Sequence, residues 1–261
     1  SPSGWQRDLA QRLLIEQGEL DCVPPLLAII RESKNPLARL HSLCTLEGLL
    51  ALSAETLESL LDDTDAGVRR HAVRNAADVR VVVAVLTSML RDDDAKVRLE
   101  LAATLGSYDE PAAHHALARL LDRSEGDPFI TATAMSSLTP KNIEAVVEAY
   151  FELSGDGGIP GDFELLRQAV AMGDQQTIAR VIELVGARRE DSSVEIVFGA
   201  TAALVNSLRD RVGGVGAFPG PVSDLLARGF GRARNAAVLR SEVESVRLGA
   251  VELLGLVSAG G

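Results

Sequence analysis

The sequence is poor in aromatic residues, cysteine and lysine, and each shortage narrows what the chain can be. Of 261 residues, six are Phe, two Tyr and one Trp. That leaves little for an enzyme that grips nucleic-acid bases on aromatic side chains. Two cysteines, Cys22 and Cys44, exclude a disulfide scaffold. Lys and Arg together number 26 against 37 Asp and Glu, a formal net charge of −11, and such a balance disfavours a nucleic-acid partner because it repels phosphate. The longest apolar run, Val79 to Leu86, is interrupted by Arg80 and falls far short of the about 20 residues a membrane-spanning helix needs. Neither an initiator Met nor a signal-peptide pattern opens the chain, which begins Ser1-Pro2-Ser3-Gly4-Trp5. With the stop at Ser258-Ala259-Gly260-Gly261 just after a helical segment, this leads to the expectation of a piece cut from a larger protein. Disorder is excluded by an apolar content of 46%.

What the chain does have is an internal repeat. Leu37-Ala38-Arg39-Leu40-His41 aligns with Gly67-Val68-Arg69-Arg70-His71, and Val68-Arg69 aligns in turn with Val97-Arg98. Thr131 takes the next slot, and Val246-Arg247-Leu248 restores the pattern late in the chain. Asn35, Asp65, Asp94 and Asp127 precede these slots as helix N-caps, with Pro36 and Pro128 at the first helical position. Apolar residues then recur at helical spacing, as in Val97, Leu101, Ala102 and Leu105. Each unit reads as two helices, the second ending in a pair such as Leu60-Leu61 or Met89-Leu90 before an acidic turn. Val81-Val82-Val83 falls at the second-helix position of its unit. The predicted fold is all-α, an α-α superhelix of about seven to eight HEAT-like helix pairs forming a single repeat domain over 1–261. The expected units are 4–33, 35–63, 65–92, 94–123, 127–153, 162–188, 192–239 and 241–257. The sixth and seventh are degenerate, and Gly155 to Gly161 and Gly213 to Pro221 read as loops.

The recurring polar residues predict a structural ladder. Arg39, Arg69, Arg98 and Arg247 share one slot, and the turn acids Asp62, Asp63, Asp65, Asp92, Asp93 and Asp94 share another. In a stack each guanidinium reaches turn acids or carbonyls of an adjacent unit, a task suited to its planar fork. Asp92-Asp93-Asp94 reads as a solvated turn, since it lacks the spaced ligands, Gly and distal Glu of a calcium loop. No His-x-x-x-His or Cys-x-x-Cys spacing exists. His41 and His71 occupy equivalent slots, while the adjacent His114 and His115 point in different directions. Cys44 reads as a small core residue and Cys22 lies near a helix start; a disulfide between them stays open. The sequence offers no catalytic, cofactor-binding or metal-binding residue.

Gly4-Trp5-Gln6-Arg7-Asp8-Leu9-Ala10-Gln11-Arg12-Leu13-Leu14, followed by Asn35-Pro36-Leu37-Ala38-Arg39-Leu40-His41-Ser42-Leu43-Cys44-Thr45-Leu46-Glu47-Gly48-Leu49, resembles a known family. The resemblance is to the HEAT-repeat region of the large exported membrane-bound dehydrogenase, or haem-binding CxxCH, proteins of planctomycetes and verrucomicrobia. That family carries an aromatic residue, typically Trp, where Cys44 stands, and often a second where Gln6 stands. The resemblance implies a parent in which a propeller similar to quinoprotein sugar dehydrogenases precedes the repeats and a cytochrome c domain follows them. It also implies an exported, periplasmic or cell-envelope location. The Cys-x-x-Cys-His haem motif is absent here, so the resemblance carries no cofactor and no catalytic residue onto this segment.

The leading expectation is a non-catalytic scaffold whose partners are proteins or neighbouring domains of the same chain, with no nucleic acid and no direct membrane insertion. A second reading is a free-standing HEAT-like enzyme or lyase acting on a bound ligand. A third is an acidic surface that docks a basic cytochrome, which strong salt dependence would betray.

Overall fold

The computed structural model describes residues 3–123, 127–153, 163–187 and 194–212, with 231, 233–235, 250, 251 and 254. Most of the expected units at 192–239 and 241–257 lie outside the described residues, as do Arg247 and the loops at 155–161 and 213–221. All regular structure among the described residues is helical. The chain divides into two compact units, Ser1–Leu120 with Ser124–Ser137, and Leu121–Arg123 with Leu138–Gly261.

The first compact unit is a repeat of helix pairs. Its helices are α1 (Gly4–Gln17), α2 (Val23–Glu32), α3 (Pro36–Gly48), α4 (Ala54–Leu61), α5 (Ala66–Asn75), α6 (Val83–Leu86), α7 (Ala95–Leu105), α8 (Pro111–Arg123) and α9 (Pro128–Ser136). The first helices of successive pairs, α1, α3, α5, α7 and α9, pack side by side, and α2 and α4 return against α3 and α5. After α1, each first helix starts where a side chain accepts an early backbone N–H. Asn35 Oδ1 takes Leu37 N–H at 3.0 Å, Asp65 takes Val68 N–H at 3.2 Å, Asp94 takes Lys96 N–H at 2.7 Å and Asp127 takes Phe129 N–H at 3.0 Å. Such a cap contributes about 1 kcal/mol. Repeating apolar slots then close the core: Leu43, Val73 and Ala102 exclude solvent completely, as do Leu46, Ala76 and Leu105. Burying one leucine stabilises the fold by about 1.5–3 kcal/mol.

The third pair departs from the expected pattern. Val81-Val82-Val83 does not continue a full second helix: α6 begins only at Val83, spans four residues and passes into a 3-10 helix at Thr87–Arg91. Val82 offers no side-chain cap, and the β-branched run restricts χ1 against a helical turn. Local propensity wins over the repeat there. Small residues set the helix spacing elsewhere. A Cβ added to Gly106 would stand 2.7 Å from Ser137 Cβ and 3.0 Å from its carbonyl oxygen, so only glycine lets the end of α7 approach the end of α9 this closely.

The second compact unit holds α10 (Ile143–Leu153), α11 (Glu164–Met172), α12 (Gln175–Gly186) and α13 (Val194–Val212). α10 packs on α11 and α12, and α11 packs on α13. Ile143, Leu166, Ile182, Phe198 and Leu204 fill its core. Tyr150 and Phe151 are buried as well, whereas Trp5 and Phe129 of the first unit are exposed. Asp174 caps α12 through Thr177 N–H at 2.8 Å, and Thr177 Oγ1 donates to Glu144 of α10 at 3.1 Å.

Candidate functional site

The most ordered polar constellation is the edge of the first unit where each second helix turns into the next first helix. Arg39 grips Asp63 with two parallel bonds, Nε to Oδ2 and NH2 to Oδ1, both 2.6 Å, while NH1 donates to the Ser33 carbonyl at 2.7 Å. Arg69 repeats the arrangement one unit on. Its Nε and NH2 reach Asp92 at 2.7 and 2.8 Å, and NH1 reaches the Asp63 carbonyl at 2.8 Å. Arg98 donates NH1 to the Asp92 carbonyl at 2.6 Å; among the described residues no carboxylate closes its other side. Arg39 and Arg69 thus tie the turn before their own helix to the turn after the next one, whereas Arg98 holds only the turn before its own.

Of the turn acids expected to meet the arginines, Asp65 and Asp94 take only the capping role also expected of them. They do not pair with the arginine forks but cap α5 and α7. The carboxylates two residues earlier, Asp63 and Asp92, do the pairing, and each also accepts the N–H of its capping neighbour, at 2.8 and 2.9 Å. The cap residue is committed to a local donor, so only the earlier acid is free to face the adjacent helix. Ser33-x-Asn35 has the same form: Asn35 N–H donates to Ser33 Oγ at 3.2 Å. A recurring Ser/Asp-x-Asn/Asp before α3, α5 and α7 is the sequence signal that points to Asp63 and Asp92. Asp92 is therefore no solvated turn residue, its side chain being 5% exposed.

Burial pushes the Asp63 and Asp92 carboxyls up. The arginine hydrogen bonds, the capping neighbours' N–H groups and the nearby positive charge outweigh it and leave both below the usual carboxylate range. The pairing raises Arg39 and Arg69 above their ordinary values. This is chemistry of cohesion: the guanidinium forks of Arg39 and Arg69 are filled by protein groups and present no vacant donor pair to an anion. Further out, Arg74 takes both oxygens of Glu100 at 2.9 Å, and in the second unit Arg180 Nε meets Glu148 at 2.5 Å.

The remaining candidates are scattered. Cys22 and Cys44 are free thiols; Cys22 Sγ donates to the Glu19 carbonyl at 2.7 Å, and burial, then Glu47, push the half-buried Cys44 up. His41 Nδ1 lies 2.8 Å from Gln11 Oε1 of the preceding helix pair. His114 is buried and His115 exposed, as adjacent helical positions require. Burial lowers His41, His71 and His114 below the ordinary histidine value. No group of three or more His, Cys, Asp or Glu among the described residues is placed to hold a metal ion. Among the same residues no helix is long and apolar enough to cross a membrane.

Stacked helix pairs tied by an asparagine or aspartate cap and a recurring arginine have a counterpart among known families. The family described as HEAT repeats matches residues 53–138. The match runs from the N-cap of α4 through α9, the stretch that holds Arg69, Arg98 and their turns. No curated protein matches the chain. HEAT repeats are helix pairs that cohere by stacking, and the architecture seen here is an all-α helical-repeat solenoid of that kind.

Proposed function

We propose that this chain is a non-catalytic scaffold and protein-interaction module. The observation that carries the reading is the use of its charged residues. Arg39 and Arg69 are spent on the internal ladder, and the surface beyond it carries exposed acids and exposed apolar side chains. HEAT repeats build extended surfaces of this type, on which protein partners are held. A net charge of −11 favours basic or neutral protein partners.

A finer reading rests on the resemblance of residues 4–14 and 35–49 to the repeat region of the exported dehydrogenase proteins. On that reading the segment is a spacer between a propeller-like dehydrogenase domain and a cytochrome c domain of an exported redox protein. It contributes docking surface and no cofactor. The test is the intact mass and the reduced visible spectrum of the native protein from its source cells. A mass far above 27.6 kDa with c-type haem bands supports the spacer. A mass near 27.6 kDa without a chromophore sinks the spacer and leaves a free-standing module, whose partner is then sought by affinity capture. Turnover of a small molecule by the purified chain, abolished by a single substitution, would sink the non-catalytic reading itself.

A further inference from the structure

The edge opposite the ladder carries a different pattern. The first helices α1, α3, α5 and α7 run parallel, so the turns that follow them share one edge of the first unit. Three large apolar side chains stand exposed in successive turns there: Leu20 at 63%, Leu50 at 94% and Val82 at 59%. The backbone at this edge repeats as well. Gly18, Leu50 and Arg80 all adopt left-handed φ, at 64°, 55° and 57°. Glycine fills that conformation freely, whereas a side chain with a Cβ resists it. Leu50 is thus both fully exposed and held in a backbone conformation that leucine disfavours. Neither core packing nor turn geometry explains a leucine there, and strain of this kind is a pointer to function. The surrounding charge is one-sided. Residues 17–22, 47–53, 77–82 and 106–110 contain Glu19, Asp21, Glu47, Asp78, Asp109 and Glu110, all exposed, against Arg80 alone.

We propose that this edge docks a basic amphipathic helix of a partner protein. Its apolar side chains meet Leu20, Leu50 and Val82, and its lysines and arginines meet the flanking acids. The spacing suits a helix. Packed helices lie about 8–10 Å apart, so neighbouring turns recur at that interval, and seven residues of α-helix rise about 10.5 Å. Apolar residues at every seventh position of the partner therefore meet one turn each. The proposal rests on the reading of the chain as an interaction module and names the surface and chemistry it uses.

The test is fluorescence anisotropy of the full chain with a synthetic labelled helix of about three heptads, carrying Leu at every seventh position between Lys and Arg. Binding is expected, weakened by added salt, and weaker by roughly tenfold in Leu50→Gly, the scale set by burying one leucine. That variant removes the side chain while relieving the backbone, so its thermal melt should not fall and lost binding is not lost folding. Failure of the wild-type chain to bind the probe overturns the proposal. So does equal binding by Leu50→Gly, or by the triple variant Leu20→Ser, Leu50→Gly, Val82→Ser. A scrambled peptide of the same composition, or one with Glu in place of Lys, that binds as tightly also overturns it. Affinity capture from source cells with wild-type and triple-variant chains separates this proposal from the broader reading. A partner held equally by both overturns the edge assignment and leaves the module standing; no protein held by either overturns the module.

Discussion

Removing the central rung of the ladder tests whether it holds the repeats together. Arg69→Ala deletes two bonds to Asp92 and one to the Asp63 carbonyl. It strands a carboxylate that is 5% exposed and that still accepts the Asp94 N–H. Breaking a buried ion pair by deleting one partner costs about 3–5 kcal/mol. The Arg69 side chain is itself 17% exposed, so water can enter the space it leaves, and we expect about 3 kcal/mol. At roughly 2–4 °C per kcal/mol, that is a melting point lower by about 6–12 °C. Arg69→Lys keeps the charge but cannot supply the fork, and should lose about half as much. In a double-mutant cycle with Asp92→Ala, the pair should show a coupling above about 1 kcal/mol. Urea denaturation followed by circular dichroism at neutral pH reads all five chains. A cost below about 0.5 kcal/mol for Arg69→Ala would refute the reasoning, because that is what an ordinary surface pair contributes. The pH dependence gives an independent check. Asp63 and Asp92 have folded values below their unfolded ones. Their contribution is therefore present above the ordinary carboxylate value of about 4 and is lost as the pH falls through the lowered values. Arg69→Ala should flatten the part of that acid decline which belongs to Asp92.

The remaining predictions concern other elements. Gly106→Ala drives a Cβ to 2.7 Å from Ser137 Cβ and should cost about 1–3 kcal/mol in chemical denaturation, whereas Gly4→Ala, whose nearest neighbour is 3.8 Å away, should be neutral or stabilising. At the left-handed turns, Arg80→Gly should be neutral or stabilise by up to about 1 kcal/mol, while Gly18→Ala should destabilise by about 1 kcal/mol; thermal melts decide the sign. Burial lowers His41, His71 and His114, so the unfolded chain binds protons first. The stability they support is present above the ordinary value of about 6.5 and declines as the pH drops below it. Denaturation midpoints at stepped pH should show this decline, and His71→Gln should reduce it.

How far the sequence reaches depends on how local each interaction is. Asn35, Asp65, Asp94 and Asp127 bind backbone N–H groups two or three residues away, so spacing and residue type suffice to place them. Together with the apolar slots that recur every 29–33 residues, they determine that the chain forms stacked helix pairs. The shared slot of Arg39, Arg69 and Arg98 is equally readable. Which carboxylate each fork takes is not, because Arg39 and Asp63 are 24 residues apart and several acids crowd each turn. Only packing shows that the capping acid is already committed and that its neighbour two residues earlier faces the arginine. The short α6 is a similar case: the repeat calls for a helix, and the β-branched residues before Val83 delay it. Gly106 looks like a helix stop in the sequence, and only the contact of α7 with α9 makes it a close approach. Leu20, Leu50 and Val82 read as ordinary apolar residues of a repeat. The sequence determined the repeat and its caps because those are built from neighbours. The tertiary structure alone decided that these three side chains stay outside, because exposure depends on what the stacked turns leave uncovered.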